Sequence, residues 1–74
     1  MHLYFFNPTC GPCKRISPKV DAAIEAGAHI RKLDVSTATG RFVARLFGVT
    51  STPAYVKAGT FTVLIGNEAA KEFA

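Results

Sequence analysis

The sequence predicts a small α/β fold of element order βαβαββα, a four-stranded mixed sheet with helices on both faces. Three observations carry this expectation. A continuous apolar run, Leu3-Tyr4-Phe5-Phe6, opens the chain and suits a central strand covered on both sides. Ile16, Val20, Ala23 and Ile24 then recur at helical spacing ahead of a second apolar-rich stretch. A strand–helix–strand unit of that length implies a right-handed parallel crossover. Nearer the C-terminus, two strand-like runs flank Ala58-Gly59-Thr60 and read as an antiparallel hairpin.

The elements follow in order. Asn7-Pro8-Thr9 is loop chemistry, because the residue before a proline is driven to extended backbone. The first helix is expected from about Cys10 to Ala26, with one apolar stripe against the sheet and Lys14, Arg15, Lys19 and Asp21 mostly outside it. Pro18 falls inside and should kink the helix rather than end it, since the pattern resumes at Val20. Gly27 is a candidate for the residue after the C-cap. His29 to Val35 mixes Ile30, Leu33 and Val35 with charges and reads as an edge strand. Ser36 or Thr37 can cap a short helix whose apolar residues are Phe42, Val43, Leu46 and Phe47, with Arg41 and Arg45 on its wet side and Gly48 as its stop. Ala54 to Lys57 and Phe61 to Ile65 are the hairpin strands. The tail, residues 67–74, has a cap candidate and a Glu68–Lys71 pair at i,i+3. It is too short to be helical alone and must dock through Phe73.

Composition bounds the rest. Seventy-four residues fit one domain, residues 1–74. At 49% hydrophobic the chain can bury a core, though a domain of this size is marginal. Met1-His2 is no basic leader, and the apolar run behind it is too short for a signal peptide or a membrane span. The expected location is therefore cytoplasmic, with no membrane partner. There, a CxxC between a strand and a helix reads as a redox motif rather than a structural disulfide. The net charge of +4 comes from Lys and Arg scattered singly or in pairs, which reads as a solvated basic surface and not as a nucleic-acid footprint.

Cys10-Gly11-Pro12-Cys13 holds the only two cysteines and carries the chemistry. The strand delivers Cys10 to the end of a sheet, and the turn feeds a helix N-terminus. Unpaired N–H groups and the positive end of the macrodipole favour a thiolate there, and Lys14 and Arg15 act in the same direction. Gly11 is expected to let the turn close; Pro12 suits the first helical turn because its missing N–H would be unpaired anyway. Cys13, one turn on, is close enough to attack a mixed disulfide formed on Cys10. Zinc is the rival reading, with His2 and His29 as the candidate further ligands. Both belong to the opposite end of the sheet, roughly 15 Å from Cys10 at ~3.3 Å per strand residue, so a mononuclear site fails. A cluster shared between two chains stays open.

The stretch Cys10-Gly11-Pro12-Cys13-Lys14 resembles the active-site motif of thioredoxins. Pro18 is similar to the proline that kinks their active-site helix. Phe47-Gly48-Val49 followed by Thr52-Pro53 resembles the stretch that leads to their cis-proline, and Lys57-Ala58-Gly59-Thr60 resembles their hairpin turn. The likeness covers nearly the whole chain, while its brevity is closer to glutaredoxins and to the glutaredoxin-like redoxins that serve ribonucleotide reductase. It implies a minimal thioredoxin-like fold and a monomeric protein-disulfide reductase that holds no cofactor. Cys10 would be the nucleophile and Cys13 the resolving thiol, closing a Cys10–Cys13 redox disulfide. The implied partners are disulfide-containing proteins and, as electron source, a thioredoxin reductase or glutathione.

By the same resemblance Pro53 is cis beside the cysteines, and Thr52 offers its N–H and C=O to an extended substrate in a short β-augmentation. Gly11 and Pro12 complete that substrate-facing surface. An ordinary trans-proline opening an edge strand is the alternative. Two residues depart from the family pattern. Thr9 replaces a tryptophan, removing a flat apolar contact. Tyr4 replaces a buried aspartate held to relay a proton for the resolving thiol, and a phenol with a pKa near ~10 is a poor base at neutral pH. A glutathione-using glutaredoxin is the competing function, supported by Thr52-Pro53 and by the Gly66-Asn67-Glu68 turn, whose N–H groups could meet a carboxylate. A non-enzymatic binding subunit is the third.

Overall fold

Tyr4 and Phe5 are neighbours in sequence and point to opposite faces of the sheet, yet both are fully buried. Their strand, β1 (His2–Phe6), therefore has covered sides above and below, as its unbroken apolar run requires. The computed structural model describes residues 1–73. After β1 come α1 (Gly11–Glu25), β2 (Ile30–Asp34), α2 (Ala38–Leu46), β3 (Ala54–Lys57), β4 (Thr62–Ile65) and α3 (Asn67–Glu72). The sheet order is β2-β1-β3-β4. Strand β2 is a parallel edge in the register His2↔Ile30 to Phe6↔Asp34, and β3 runs antiparallel to β1 with Tyr4 opposite Tyr55.

Each sheet face owns a core. Tyr4, Ile16, Val20, Tyr55 and Ala69 pack together on the face covered by α1 and α3. Phe5, Leu33, Ala44, Ala54 and Val56 pack on the face covered by α2. Burying a Phe-sized side chain contributes about 2–3 kcal/mol, so Tyr4 and Phe5 tie the helices of both layers to one strand. Helix α1 runs unbroken through Pro18 to Glu25, and Gly27 follows its end with a φ of 105°.

Helix α2 is where the structure departs from the expectation. Phe42 and Leu46, read as apolar-stripe residues, are 63% and 66% exposed. The face turned to the sheet consists of Gly40 and Ala44, with Val43 and Phe47 flanking them. The cause is close approach: a Cβ built on Gly40 would overlap the backbone carbonyl of Asp34. Small residues four apart bring the helix onto the end of β2, and its bulk is rotated outward. Thr37 caps α2, its Oγ1 accepting from the Gly40 N–H at 3.0 Å, and Gly48 follows the C-cap with a φ of 69°.

The hairpin turn is one residue longer than expected. Phe61 belongs to the turn, in the left-handed region at φ 54°, and stacks on Phe47 with centroids 6.1 Å apart. Gly66 caps α3 without a side-chain bond. Phe73 docks the tail by edge contacts with Tyr55 and Tyr4, centroids 4.9 and 6.1 Å away. Among the described residues the ion pair of this tail is Lys57–Glu72 at 3.0 Å rather than Glu68–Lys71. Ala74, the last residue of the expected tail, lies outside the described residues. No helix among them is long and apolar enough to cross a membrane.

Candidate active site

Beyond Phe6 the chain turns on Asn7, whose Oδ1 accepts from the Thr9 N–H at 3.1 Å and the Thr9 hydroxyl at 2.9 Å. The Asn7 carbonyl accepts from the Cys10 N–H at 2.9 Å. This side-chain-mimicked turn presents Cys10 as the N-cap of α1, with extended backbone and a sulfur that accepts from the Cys13 N–H at 3.3 Å. An N-cap side chain takes its bond from the second or third helical residue. Pro12 occupies the second position and has no N–H, so the Cys13 N–H is the donor that remains. Gly11 behaves differently from the expectation: its φ is not in the left-handed region, and an added Cβ would meet open space. The turn does not require glycine there.

The two sulfurs occupy different environments. Cys10 is half-buried, whereas Cys13 is 1% exposed. At Cys10 burial opposes ionisation, but it is outweighed by hydrogen bonds from the Cys13 side chain and backbone, with Arg15 adding attraction; the thiol is held below its ordinary pKa. At Cys13 burial dominates, and the bond to Cys10 adds to it; that thiol is pushed up. Neither cysteine is in a disulfide.

The loop before β3 closes the site. The Thr52–Pro53 peptide bond is cis, Pro53 is fully buried, and the Cys10 thiol donates to the Thr52 carbonyl at 3.7 Å. Cys10, Cys13 and Thr52 thus meet directly, with Pro53 behind Thr52 and with Gly11 and Pro12 exposed beside them. The Pro53 carbonyl accepts from the Gly66 N–H at 2.9 Å, which commits one of the N–H groups of the turn read above as a carboxylate cradle.

Beneath the dithiol, the Tyr4 hydroxyl shares a hydrogen bond with Ser17 Oγ at 3.2 Å. Burial raises the Tyr4 pKa, the Ser17 bond partly offsets this, and charge on Cys13 or Cys10 would raise it further. The phenol stays protonated at neutral pH. Nothing in the sequence motif singles out Ser17, although its spacing is informative: it follows Cys13 by one helical turn and shares its face. The two histidines lie at the opposite end of the sheet, where the His2 N–H donates to the His29 carbonyl at 2.8 Å.

A cleft of about 350 Å³ adjoins the site, lined by Asn7, Thr50 and Thr52 on one side and by Arg41, Ala44 and Arg45 of α2 on the other. From the sequence the two arginines read only as a wet helix face. Their neighbourhood to Asn7 and Thr52 depends on how α2 is rotated, which the bulk of its residues misrepresents.

A CxxC at the head of the first helix, facing a cis-proline loop across one sheet end, defines a thioredoxin-fold protein. The family model described as Thioredoxin matches residues 1–72, and the chain belongs to the thioredoxin family. A thioredoxin from Porphyra purpurea is 38% identical over 50 residues, a stretch covering 66% of this chain and 47% of that protein. The chain thus spans about half the length of that curated relative. Mitochondrial thioredoxin 3 from Saccharomyces cerevisiae, in its oxidised form, is similar at 32% identity with a TM-score of 0.70, over 96% of this chain and 71% of that one. The first thioredoxin domain of mouse protein disulfide-isomerase A4 shares the fold at 22% identity and a TM-score of 0.55, over 97% of this chain and 59% of that one.

Proposed function

We propose that the protein is a thiol–disulfide oxidoreductase that reduces disulfides in polypeptides through Cys10 and Cys13. The observation that carries this reading is the asymmetry of the two sulfurs. The accessible one is activated at a helix N-terminus, and its buried neighbour is held protonated within one turn. The Cys10 thiolate attacks one sulfur of the substrate; that S–S bond breaks, a mixed disulfide forms, and the other substrate sulfur leaves as thiolate. Cys13 then loses its proton and attacks Cys10 Sγ, releasing the second substrate thiol. The substrate has gained two electrons and two protons, and the protein holds a Cys10–Cys13 disulfide. A two-electron donor, a thioredoxin reductase in the leading reading, returns it to the dithiol.

Thr52 and Pro53 supply the substrate groove in this proposal. The Thr52 carbonyl that touches Cys10 in the free protein would pair with the backbone of an extended substrate chain. Family membership supports the reaction class, and the cytoplasm, where thiols are kept reduced, suits a reductase. The test is turnover of a polypeptide disulfide with NADPH and thioredoxin reductase, or with glutathione and glutathione reductase, as electron source. Turnover through the first system is expected. Faster turnover through glutathione would assign the protein to the glutaredoxin reading, and no turnover with either would overturn both.

A further inference from the structure

We propose that Arg41 and Arg45 make the cleft beside Cys10 a carboxylate-recognition site, so that the protein selects disulfides with an acidic group close to the reacting sulfur. The inference rests on the oxidoreductase reading and names its substrate class. Its first support is position. The cleft is lined by Asn7 and Thr52 as well as by the two arginines, and those two residues are the ones whose carbonyls contact Cys10, at its N–H and its sulfur. A substrate laid along Thr52 to reach Cys10 therefore passes the mouth of this cleft. Successive side chains of an extended chain alternate in direction at ~3.3 Å per residue, so an acidic residue near the target cysteine has a side chain that enters it.

The second support is charge. Arg41 and Arg45 are four residues apart on α2, hence neighbours on its surface, and α2 contains no acidic residue. Among the described residues neither guanidinium has a carboxylate partner, and no carboxylate lines the cleft. The nearest acidic residue in sequence, Asp34, is turned to Ser36, accepting from its N–H at 2.8 Å and its hydroxyl at 2.6 Å. Like charges at this spacing disfavour a helix. The helix C-terminus compensates Arg45, but Arg41 lies a turn earlier. Arg41 gives one N–H to the Ser36 carbonyl at 3.1 Å, which orients the guanidinium and leaves its other donors available.

The third support is the cleft itself. Its volume is in the range of small-ligand sites. Val35, Ala44 and Val49 give it apolar walls, and Thr50 and Ser51 add hydroxyls. That is room for an aliphatic stem ending in a planar, bidentate acceptor, which a guanidinium matches. A carboxylate of this kind occurs on an aspartate or glutamate of a polypeptide and also on glutathione disulfide.

The test uses three disulfide peptides identical except for Glu, Gln or Lys beside the cysteine, together with oxidised glutathione, reduced by the full chain at low and high salt. The wild type should prefer the Glu over the Gln peptide by about five- to tenfold in kcat/KM, since the arginines are solvent-exposed and salt-screened. The preference should shrink in 0.5 M salt. In Arg41→Gln/Arg45→Gln the Glu-to-Gln ratio should fall to about one, and in Arg41→Glu/Arg45→Glu the Lys peptide should become preferred. Arg45→Gln alone, which leaves the Ser36 bond in place, should give an intermediate ratio. If the glutamine variant loses rate on oxidised glutathione and its peptide ratio is unmoved, the carboxylate is that of the small thiol. Loss on the Glu peptide assigns it to polypeptides. Equal wild-type rates on all three peptides and no arginine dependence on glutathione would overturn the site, as would a peptide preference that persists in Arg41→Gln/Arg45→Gln with the rate on oxidised glutathione unchanged. A cysteine-free Glu peptide titrated against the arginine side-chain NMR signals decides the site independently of turnover. Failure to reduce even the Gln peptide would instead sink the oxidoreductase reading.

Discussion

Helices α1 and α2 are capped by the same bond with a different atom. In each, the N-cap side chain accepts from the N–H of the third helical residue: Cys10 Sγ from Cys13 at 3.3 Å, and Thr37 Oγ1 from Gly40 at 3.0 Å. At Thr37 the acceptor is a hydroxyl that does not ionise in the working pH range, and the bond is structural. At Cys10 the acceptor is a sulfur whose charged form that bond favours, and the same geometry becomes chemistry. The helices differ also in how they meet the sheet. Helix α1 buries the branched Ile16 and Val20, whereas α2 buries Gly40 and Ala44 and turns Phe42 and Leu46 outward. A cap therefore sets an electrostatic environment, and the atom placed in it decides whether the site reacts.

The largest effect should come from exchanging the capping atom. Serine is a good N-cap, so Cys10→Ser should fold with stability within about 1 kcal/mol of wild type while disulfide reduction falls to the uncatalysed background. Cys13→Ser should keep the attack and lose the resolution, accumulating a covalent mixed disulfide visible on a non-reducing gel. Trapping by Cys10→Ser instead would exchange the two roles.

The next effect belongs to the packing contrast. Gly40→Ala should destabilise the fold by about 3 kcal/mol, because the added methyl meets the Asp34 backbone rather than a side chain that can move. Denaturant unfolding measures it. A loss below about 0.5 kcal/mol would mean that α2 is not seated on β2 as closely as described, and the rotation that exposes Phe42 would lose its cause.

The contrast between caps also has a pH signature. Iodoacetamide should modify Cys10 with a midpoint below that of an ordinary thiol, near ~8.5, and Cys13 only at higher pH. A group with a depressed folded pKa stabilises the fold above its unfolded pKa, and that contribution is lost as pH falls through the folded value. Cys10 follows that rule. Cys13, raised on folding, contributes below its unfolded pKa and loses the contribution as pH rises through the folded one. Urea-unfolded protein should show both thiols at one ordinary midpoint. Identical profiles for the two cysteines in the folded state would remove the asymmetry on which the proposed reaction rests.

What could be read from the sequence divides along the same line. The order βαβαββα, the doubly covered β1, the edge position of β2 and a hydroxyl cap for α2 at Ser36 or Thr37 were legible because each depends on local pattern: an apolar run, a charged strand, a hydroxyl before a helix. The head of α1 was legible for the same reason, since strand, turn and cysteines are contiguous. The orientation of α2 was not, because bulk is an unreliable sign of burial where two small residues allow close approach. Gly40 and Ala44, four apart, were the available signal. Phe61 reads as a strand residue from its place at the head of the run Phe61 to Ile65, whereas the structure puts it in the turn at positive φ, stacked on Phe47. The Arg41–Arg45 side of the cleft depends on the same rotation and was hidden with it.

The smallest expected effect tests what the glycine of the motif is for. Gly11 is the first residue of α1, with a φ outside the left-handed region, and apart from its chain neighbours and the helix's own backbone no atom lies within 4 Å of where a Cβ would be. Alanine there keeps the backbone and narrows the unfolded ensemble, so Gly11→Ala should raise stability by a few tenths of a kcal/mol, less than the ~0.4–1 kcal/mol seen at fully helical sites. The Cys10 cap bond comes from Cys13, so the pH profile of Cys10 towards iodoacetamide should not move. The new methyl is nonetheless exposed beside the sulfur, where a polypeptide substrate would lie and a small reagent would not. KM for a polypeptide disulfide should therefore rise in Gly11→Ala, with the small-reagent rate unchanged. That split would assign glycine to substrate access rather than to the turn. A stability loss above about 1 kcal/mol, with a displaced Cys10 profile, would show that the turn does need glycine and that the cap geometry at Cys10 is wrong.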